Sequence, residues 1–468
     1  MKLALGKRID ATKGNLFKMI LLYALPLFLS SLIQHCFSAV DVAVLGNMAD
    51  SNAVASVGAT TAITSLIINT FIGVASGAKI ILARQFGAKD TAGIQQSVNT
   101  IIITAVGLGV LIAALGVPLA PSLLHLTKCP EECFRGAEIY IQIYIASAPA
   151  ILLYNFGSAV ITSSGDSQRP MLYIIISGFV NVILNVILCM VLQEKVAAVA
   201  IATITSQIVS AFLVIRRLCV MEGDGHLNLR HMSFHANAFV QLMKQGLPLA
   251  LQTALYPLAN LQIQSAINLH GAAAIAGNSA STTVESLSGA PLNAAFASTT
   301  TVFMGQNIGA HKLDRVKRSF WICLAVSTLS CLVVSIVVYL TGRFWLSLIL
   351  PNDPAAVEFG KIRMFFVLLF YAVAAANGVL SHAIQAYGHA TYSAIVSIFS
   401  VFGFRFIWMW FVYPFFENTA YSFHALMGCF TISWLLVMLL NVVGYIFFRN
   451  RFHKKLNSYR PDRAISKL

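Results

Sequence analysis

Apolar segments long enough to cross a bilayer recur from Leu16 to Phe448. That recurrence constrains this chain more than any single motif. A hydrocarbon core takes about 20 apolar residues of helix per crossing. Of the 468 residues, 58% are hydrophobic and only 10% are charged, and the mean hydropathy is +0.78. An average soluble domain is about 25% charged. Too few charges remain to coat a soluble core of this size, which excludes a soluble enzyme, a nucleic-acid-binding domain and a disordered scaffold. The ten-residue alternating segments of a membrane barrel are absent, so the spanning elements are helices. The expected fold is an all-α polytopic membrane protein.

Breaks at charged or Pro/Gly-rich stretches give twelve segments. They cover 16–45, 53–83, 94–124, 134–164, 170–192 and 195–217, then 238–268, 273–304, 316–347, 355–386, 391–414 and 421–448. The net charge of +14 would suggest nucleic acid in a soluble protein. Here it follows from Lys and Arg collecting in cytoplasmic loops, and no nucleic-acid partner is expected. With the N-terminus inside, 23 of the 31 Lys and Arg fall on the inner side and six on the outer side, Arg363 among the six. Lys79 and Arg405 remain within spans. Both termini are therefore expected in the cytoplasm, and the membrane is read as a plasma membrane. The first apolar segment is too long for a cleavable signal peptide. The eight cysteines form no zinc spacing, and Cys129 and Cys133, which share a loop, are read as unpaired thiols.

The chain repeats itself. Ala24-Leu25-Pro26-Leu27 opens the first span and Gly246-Leu247-Pro248-Leu249 the seventh. Gly87-Ala88-Lys89 follows the second span and Gly309-Ala310-His311-Lys312 the eighth. The offset is 222 residues at both places, from Pro26 to Pro248 and from Gly87 to Gly309. Six spans per half means that both halves enter from the same side, as parallel repeats. The reading is an N-terminal six-helix lobe over 1–220, a cytoplasmic linker over 221–245, a C-terminal six-helix lobe over 246–450 and a basic cytoplasmic tail over 451–468. Two such bundles around a cleft suit alternating access.

Charges inside a membrane are costly and need a reason. Only Asp41 and Glu285 are acids clearly within spans. Asp41 lies about 35 Å along the helix axis from Lys18, in the outer half of the first span. Three other spans carry polar faces at similar depth. Asn181 and Asn185, four apart on the fifth span, share one face. Thr203 on the sixth is followed by Ser206, Gln207 and Ser210. The fourth shows Tyr140, Tyr144, Ser147, Tyr154, Asn155 and Ser158. A carboxylate withdrawn from bulk water can exchange a proton near neutral pH. Ringed by amide and hydroxyl oxygens, it can instead hold Na⁺. Both ions stay open on the residues alone, and the same polar groups also serve as hydrogen-bonding glue between helices.

Several motifs in order carry a family resemblance. They are the Leu-Pro opening of each half, Asp41, Gly87-Ala88-Lys89-Asp90, Ser164-Gly165-Asp166 with Pro170, Ala202-Thr203 with Ser206-Gln207, and Gly305-Gln306-Asn307-Ile308-Gly309-Ala310. Over essentially its whole length the chain resembles the multidrug and toxic compound extrusion (MATE) transporters, and its DinF-like branch more than its NorM-like branch. The resemblance implies two six-helix lobes forming a V and cation-coupled export of small organic compounds by a functional monomer. No cofactor is implied beyond the coupling ion, H⁺ or Na⁺. It also implies a cation-coupling set of Asp41, Tyr140, Asn155, Asn181 and Thr203. Asn185 stands where the family often has Asp, which removes one negative charge. The NorM-like acids are missing: the seventh span has none, and the tenth has only Glu358 near its outer end.

In the C-terminal half, Glu285 and Arg405 both lie deep and are expected to form a polar pair. The alternative use of Glu285 is ion or substrate binding. Pro26, Pro149 and Pro257 fall within spans and permit kinks, with Pro26 as the candidate conformational hinge. No Walker-type phosphate loop is encoded, so ATP does not drive transport. The leading function is secondary-active antiport of organic, cationic or amphipathic compounds. A flippase for lipid-linked cell-envelope precursors is the second reading, against which twelve spans and one deep Arg weigh. A polytopic membrane enzyme is the third, and it lacks the acid or His cluster such chemistry needs.

Overall fold

The computed structural model describes residues 8–48, 51–127 and 129–458, with no side-chain description at 38, 39, 41–43, 45, 47, 48, 51, 52, 54, 453 and 455–458. Among the described residues the chain is helical and contains no strand. Twelve helical segments run in order. They are α1 (Leu16–Met48), α2 (Ser51–Ala88), α3 (Thr91–Leu126), α4 (Glu131–Ala146 and Ala148–Ser163), α5 (Gln168–Val191) and α6 (Lys195–Val220). Then follow α7 (Ala236–Asn268), α8 (Ala272–Leu287 and Gly289–Gly309) and α9 (Leu313–Leu340). The last three are α10 (Pro354–Arg363 continuing to Tyr371–Ala386), α11 (Ala390–Ser397 continuing to Trp408–Val412) and α12 (Ser422–Ser458). Each begins within a few residues of its expected start, and α12 carries its helix into the expected basic tail.

Among the described residues, nine helices are individually long and apolar enough to cross a membrane, and α4 makes ten when its two pieces count as one bent span. The other two, α7 and α8, are diluted by polar side chains such as Gln252, Asn260 and Gln264, or Asn278, Thr299, Thr300 and Gln306. Those of α8 are buried rather than presented outward. A membrane helix tolerates them because neighbouring helices, not lipid, receive them.

The chain splits into two compact units, residues 1–258 with 309–312 and residues 259–308 with 313–468. The boundary falls inside α7, beyond the 221–245 stretch read as the linker, and that stretch already contains the start of α7 at Ala236. Close backbone packing explains why the first part of α7 stays with the first unit. Gly73 and Gly77 on α2 form a Gly-xxx-Gly pair facing Gly246 and Ala250, a small-xxx-small pair on α7. A Cβ on Gly77 would meet the Gly246 backbone, and one on Gly73 would meet that of Ala250. Small residues let two helices approach to this distance. Thr253 Oγ1 then donates to the Asn69 carbonyl at 2.7 Å. The core of this unit is Phe71, Val74 and Leu82 of α2, Ile94 and Val98 of α3, Leu152 and Phe156 of α4, and Val214 and Leu218 of α6.

In the second unit a buried ion pair ties α8 to α10. Arg363 binds Glu285 bidentately, Nε to Oε1 and Nη2 to Oε2 at 2.9 Å each. Its Nη1 donates to Asn278 Oδ1 at 2.8 Å, and Asn278 Nδ2 donates to Gln264 Oε1 at 3.0 Å. Both side chains of the pair are 8% exposed. This corrects one expectation: the partner of Glu285 is Arg363 and not Arg405, and Arg363, counted among the outer-side charges, is buried in that pair. Arg405 instead donates from Nη1 to Asn260 Oδ1 at 2.7 Å. The two guanidinium groups share Phe430 of α12, at 5.1 Å for Arg363 and 4.3 Å for Arg405 from the ring centre. Each arginine sits against π-helical turns: Met364–Leu368 follows Arg363, while Ile398–Gly403 and Trp408–Val412 flank Arg405. A π turn frees a backbone carbonyl, and Thr431 of α12 donates to that of Phe366.

Two outcomes are expected. Gly77→Val lowers the stability of the detergent-solubilised protein by about 1–3 kcal/mol through overpacking. Gly58→Val, where an added Cβ meets nothing within 4 Å, leaves it unchanged. Thermal melts of both variants decide this. Arg363→Met alone costs about 3–5 kcal/mol by stranding Glu285, and Glu285→Gln/Arg363→Met costs less than the two single changes combined. A double-mutant cycle with zero coupling would reject the pair, and the same cycle between Glu285 and Arg405, which share no hydrogen bond, is expected to show a smaller coupling.

Candidate functional site

Helix α4 is bent by 45° between its two pieces. Pro149, at the second piece's start, has no N–H to give the preceding turn. Ser147 donates its hydroxyl back to the Tyr144 carbonyl at 2.6 Å. Of the other prolines in spans, Pro26 is buried within an uninterrupted α1 and Pro257 lies within an uninterrupted α7.

The first unit encloses a cavity of about 370 Å³ beside the two pieces of α4. From α4 come Tyr140, Tyr144, Ile151, Tyr154 and Asn155; from α5, Ile174, Ser177, Gly178 and Asn181; from α6, Thr203, Ser206, Gln207 and Ser210. Each set follows the spacing of one helical face. Helix α1 contributes Gln34 and Phe37, and α2 contributes Thr64, Ile68 and Ile72. Among the described residues no Asp, Glu, Lys, Arg or His lines it.

The hydrogen bonds in its wall decide what it offers a guest. Thr203 donates to the Val199 carbonyl at 2.9 Å, Ser206 to Thr203 at 2.7 Å and Ser210 to Gln207 at 2.8 Å. Asn155 Nδ2 donates to the Ile151 carbonyl at 2.8 Å. The three hydroxyls thus spend their O–H on their own helix and keep acceptor oxygens, while Asn155 keeps its Oδ1 and a second Nδ2–H. Tyr140 and Tyr144 stack with ring centres 6.2 Å apart and planes inclined by 14°. An acceptor-rich wall with stacked aromatic rings suits a cation or a positively charged amphipathic guest.

Tyr140, Asn155, Asn181 and Thr203, singled out from sequence, all line this one cavity. Asn185 stands behind the wall, fully buried, and donates from Nδ2 to Asn181 Oδ1 at 3.2 Å. Asp41 belongs to α1, but its side chain lies outside the described residues. Glu285 and Arg405 belong to the second unit and have no part in this cavity. Sequence reading missed Gln34, Phe37, Thr64, Ser177 and Gly178. A signal existed for Gln34, which precedes Asp41 by seven residues, two helical turns. Ser177 likewise precedes Asn181 by four. Thr64 has Thr60, Thr61 and Ser65 as neighbours, and nothing in the sequence distinguishes it from them.

The MatE family model matches residues 26–187 and 248–411. The two matches begin at Pro26 and Pro248, the residues that open the internal repeat. The probable multidrug resistance protein YpnP of Bacillus subtilis (strain 168) is 26% identical over 404 residues, covering 86% of this chain and 89% of that protein. The probable multidrug resistance protein YoeA of the same organism is 24% identical over 401 residues, covering 84% and 86%. A solved structure of a multidrug resistance MATE family transporter superimposes with a TM-score of 0.86 at 20% identity, covering 96% of this chain and 99% of that one. That likeness concerns the fold. The family match spans most of the chain in two consecutive halves, and it follows that the chain belongs to the MatE family of multidrug efflux transporters.

Proposed function

We propose that this transporter is a secondary-active antiporter that exports organic, cationic or amphipathic compounds in exchange for H⁺ or Na⁺ by alternating access. The cavity in the first unit is the coupling site. The observation that carries this reading is its wall, in which Asn155, Thr203, Ser206 and Ser210 have donated to their own helices and keep oxygen acceptors. Such oxygens attract a cation but leave its charge uncompensated. Asp41 on α1, two turns from the lining residue Gln34, is the acid assigned to compensate it. The second unit is a poorer place for the ion, because its acid Glu285 is already engaged by Arg363 and a cation beside arginine is disfavoured. Protonation or ion binding at Asp41 would change the hydrogen bonding of the cavity wall and bias α1, with Pro26 as its hinge, between two packings. The Lys and Arg bias supports both termini in the cytoplasm of a plasma-membrane protein, and the protein acts as a monomer.

Efflux of a fluorescent organic cation from proteoliposomes is expected to follow either an imposed pH gradient or an imposed Na⁺ gradient. Transport indifferent to both would sink the antiport reading. Asp41→Asn should abolish gradient-driven efflux while leaving expression and the melting temperature near wild type; normal driven efflux by that variant would reject Asp41 as the coupling acid. Thr203→Val removes one acceptor oxygen at almost constant volume. It should raise the concentration of coupling ion needed for half-maximal efflux about tenfold, the equivalent of roughly 1.4 kcal/mol.

A further inference from the structure

The turn Ser164-Gly165-Asp166 between α4 and α5 has no part in the cavity, yet the chain preceding α1 is strapped onto it. Ile9 N donates to the Gly165 carbonyl at 3.0 Å. Gly165 has φ +95°, and a Cβ there would strike the Ile9 carbonyl. Asp10 accepts from Thr12 N at 2.9 Å and from its hydroxyl at 2.6 Å, and Lys312 Nζ donates to the Thr12 carbonyl at 2.8 Å. Asp166, 2% exposed, binds Arg169 Nη1 at 2.5 Å. The strap thereby delivers Arg8 to the end of the bundle where α5 begins and α6 ends. Arg217, Arg169, Asp166 and Asp224 lie within electrostatic reach of Arg8, and Arg169, Arg216 and Arg217 within reach of Tyr173 on α5. Burial and the charge of Arg217 both press on Arg8, lowering its pKa from the ordinary arginine value.

Two guanidinium N–H groups in this cluster, Arg8 Nη2 and Arg217 Nε, are buried without a hydrogen-bond acceptor. A guanidinium does not shed its proton, and a buried donor without a partner is costly. Arginines that only obeyed the charge bias of membrane loops would be hydrated instead. Apolar faces lead away from the same place. On α6, Ile208 and Phe212 are exposed by 53% and 64%, and exposed Arg216 follows one turn later. On the adjacent α5, Ile176 and Phe179 are exposed by 45% and 60%, with Tyr173 and Arg169 towards the arginine end.

We propose that this end of α5 and α6 is a binding site for an anionic phospholipid. Its phosphate accepts from Arg8, Arg216 and Arg217, and an acyl chain lies against Phe179 and Phe212. Clustered basic residues at a bilayer surface select anionic headgroups. A free phosphate would answer the arginines but make no use of the apolar faces, and a neutral lipid would leave the excess positive charge unanswered.

The test uses the full chain purified in detergent and titrated with phosphatidylglycerol, phosphatidylcholine or inorganic phosphate, with bound lipid counted by native mass spectrometry. Phosphatidylglycerol should bind at least about fivefold more tightly than phosphatidylcholine, and each of Arg8→Gln and Arg216→Gln should weaken it about fivefold. Arg216→Lys should keep the preference, and Phe212→Ser should weaken both lipids. A melting temperature near wild type in the absence of lipid checks that the variants fold. Equal binding of the two lipids, or an Arg8→Gln/Arg216→Gln variant that keeps the preference, would overturn the proposal. So would displacement of phosphatidylglycerol by millimolar inorganic phosphate, which would mark a site for a free anion.

Discussion

Inside a bilayer no water is present to satisfy a peptide group, and every other feature of this protein adapts to that condition. Twelve helical segments satisfy their own backbones. Their polar side chains must then find partners among helices or bond back to the helix that carries them. Both solutions appear. Thr203, Ser206, Ser210 and Asn155 bond to carbonyls three or four residues earlier, while Thr253 and Thr431 reach carbonyls of other helices. The first solution has a chemical consequence. A hydroxyl that donates to its own helix still has lone pairs, so a face that is quiet as glue remains available to a cation.

The two halves of the repeat have diverged in how they handle charge. The first unit holds a cavity without a charged residue among its described lining. The second unit places Glu285 against Arg363 and stacks two guanidinium groups on Phe430. A buried ion pair of this kind contributes little net stability but strongly resists loss of one member. It ties α8 to α10 where the π-helical turn Met364–Leu368 begins. Repeats that share a register of 222 residues thus differ in their interiors, one with a cavity free of charge among its described lining and the other with a buried ion pair.

Much of the architecture is legible in the sequence, for a physical reason. Apolar length decides that the segments span, and α-helical periodicity decides which residues share a face. Rise per residue decides their depth. Periodicity puts Tyr140, Asn155, Asn181 and Thr203 on polar faces of three helices, the family resemblance singles them out, and the structure gathers them around one cavity. These rules do not single out Thr64, which shares its stretch of α2 with Thr60, Thr61 and Ser65.

What the rules do not supply is which helix stands beside which. Arg405 and Arg363 offer Glu285 similar charge at compatible depths, and the choice of Arg363 follows from α10 packing against α8. The division of the chain within α7 has the same origin, since Gly246 and Ala250 can approach Gly73 and Gly77 only when α7 lies on α2. The strap of residues 8–12 over the Gly165 turn is likewise invisible in a local pattern, because its anchors are 156 residues apart in Ile9 and Gly165. Spacing along one helix is local geometry and belongs to the sequence. Adjacency between helices is decided by side-chain fit across hundreds of residues, and only the tertiary structure determines it.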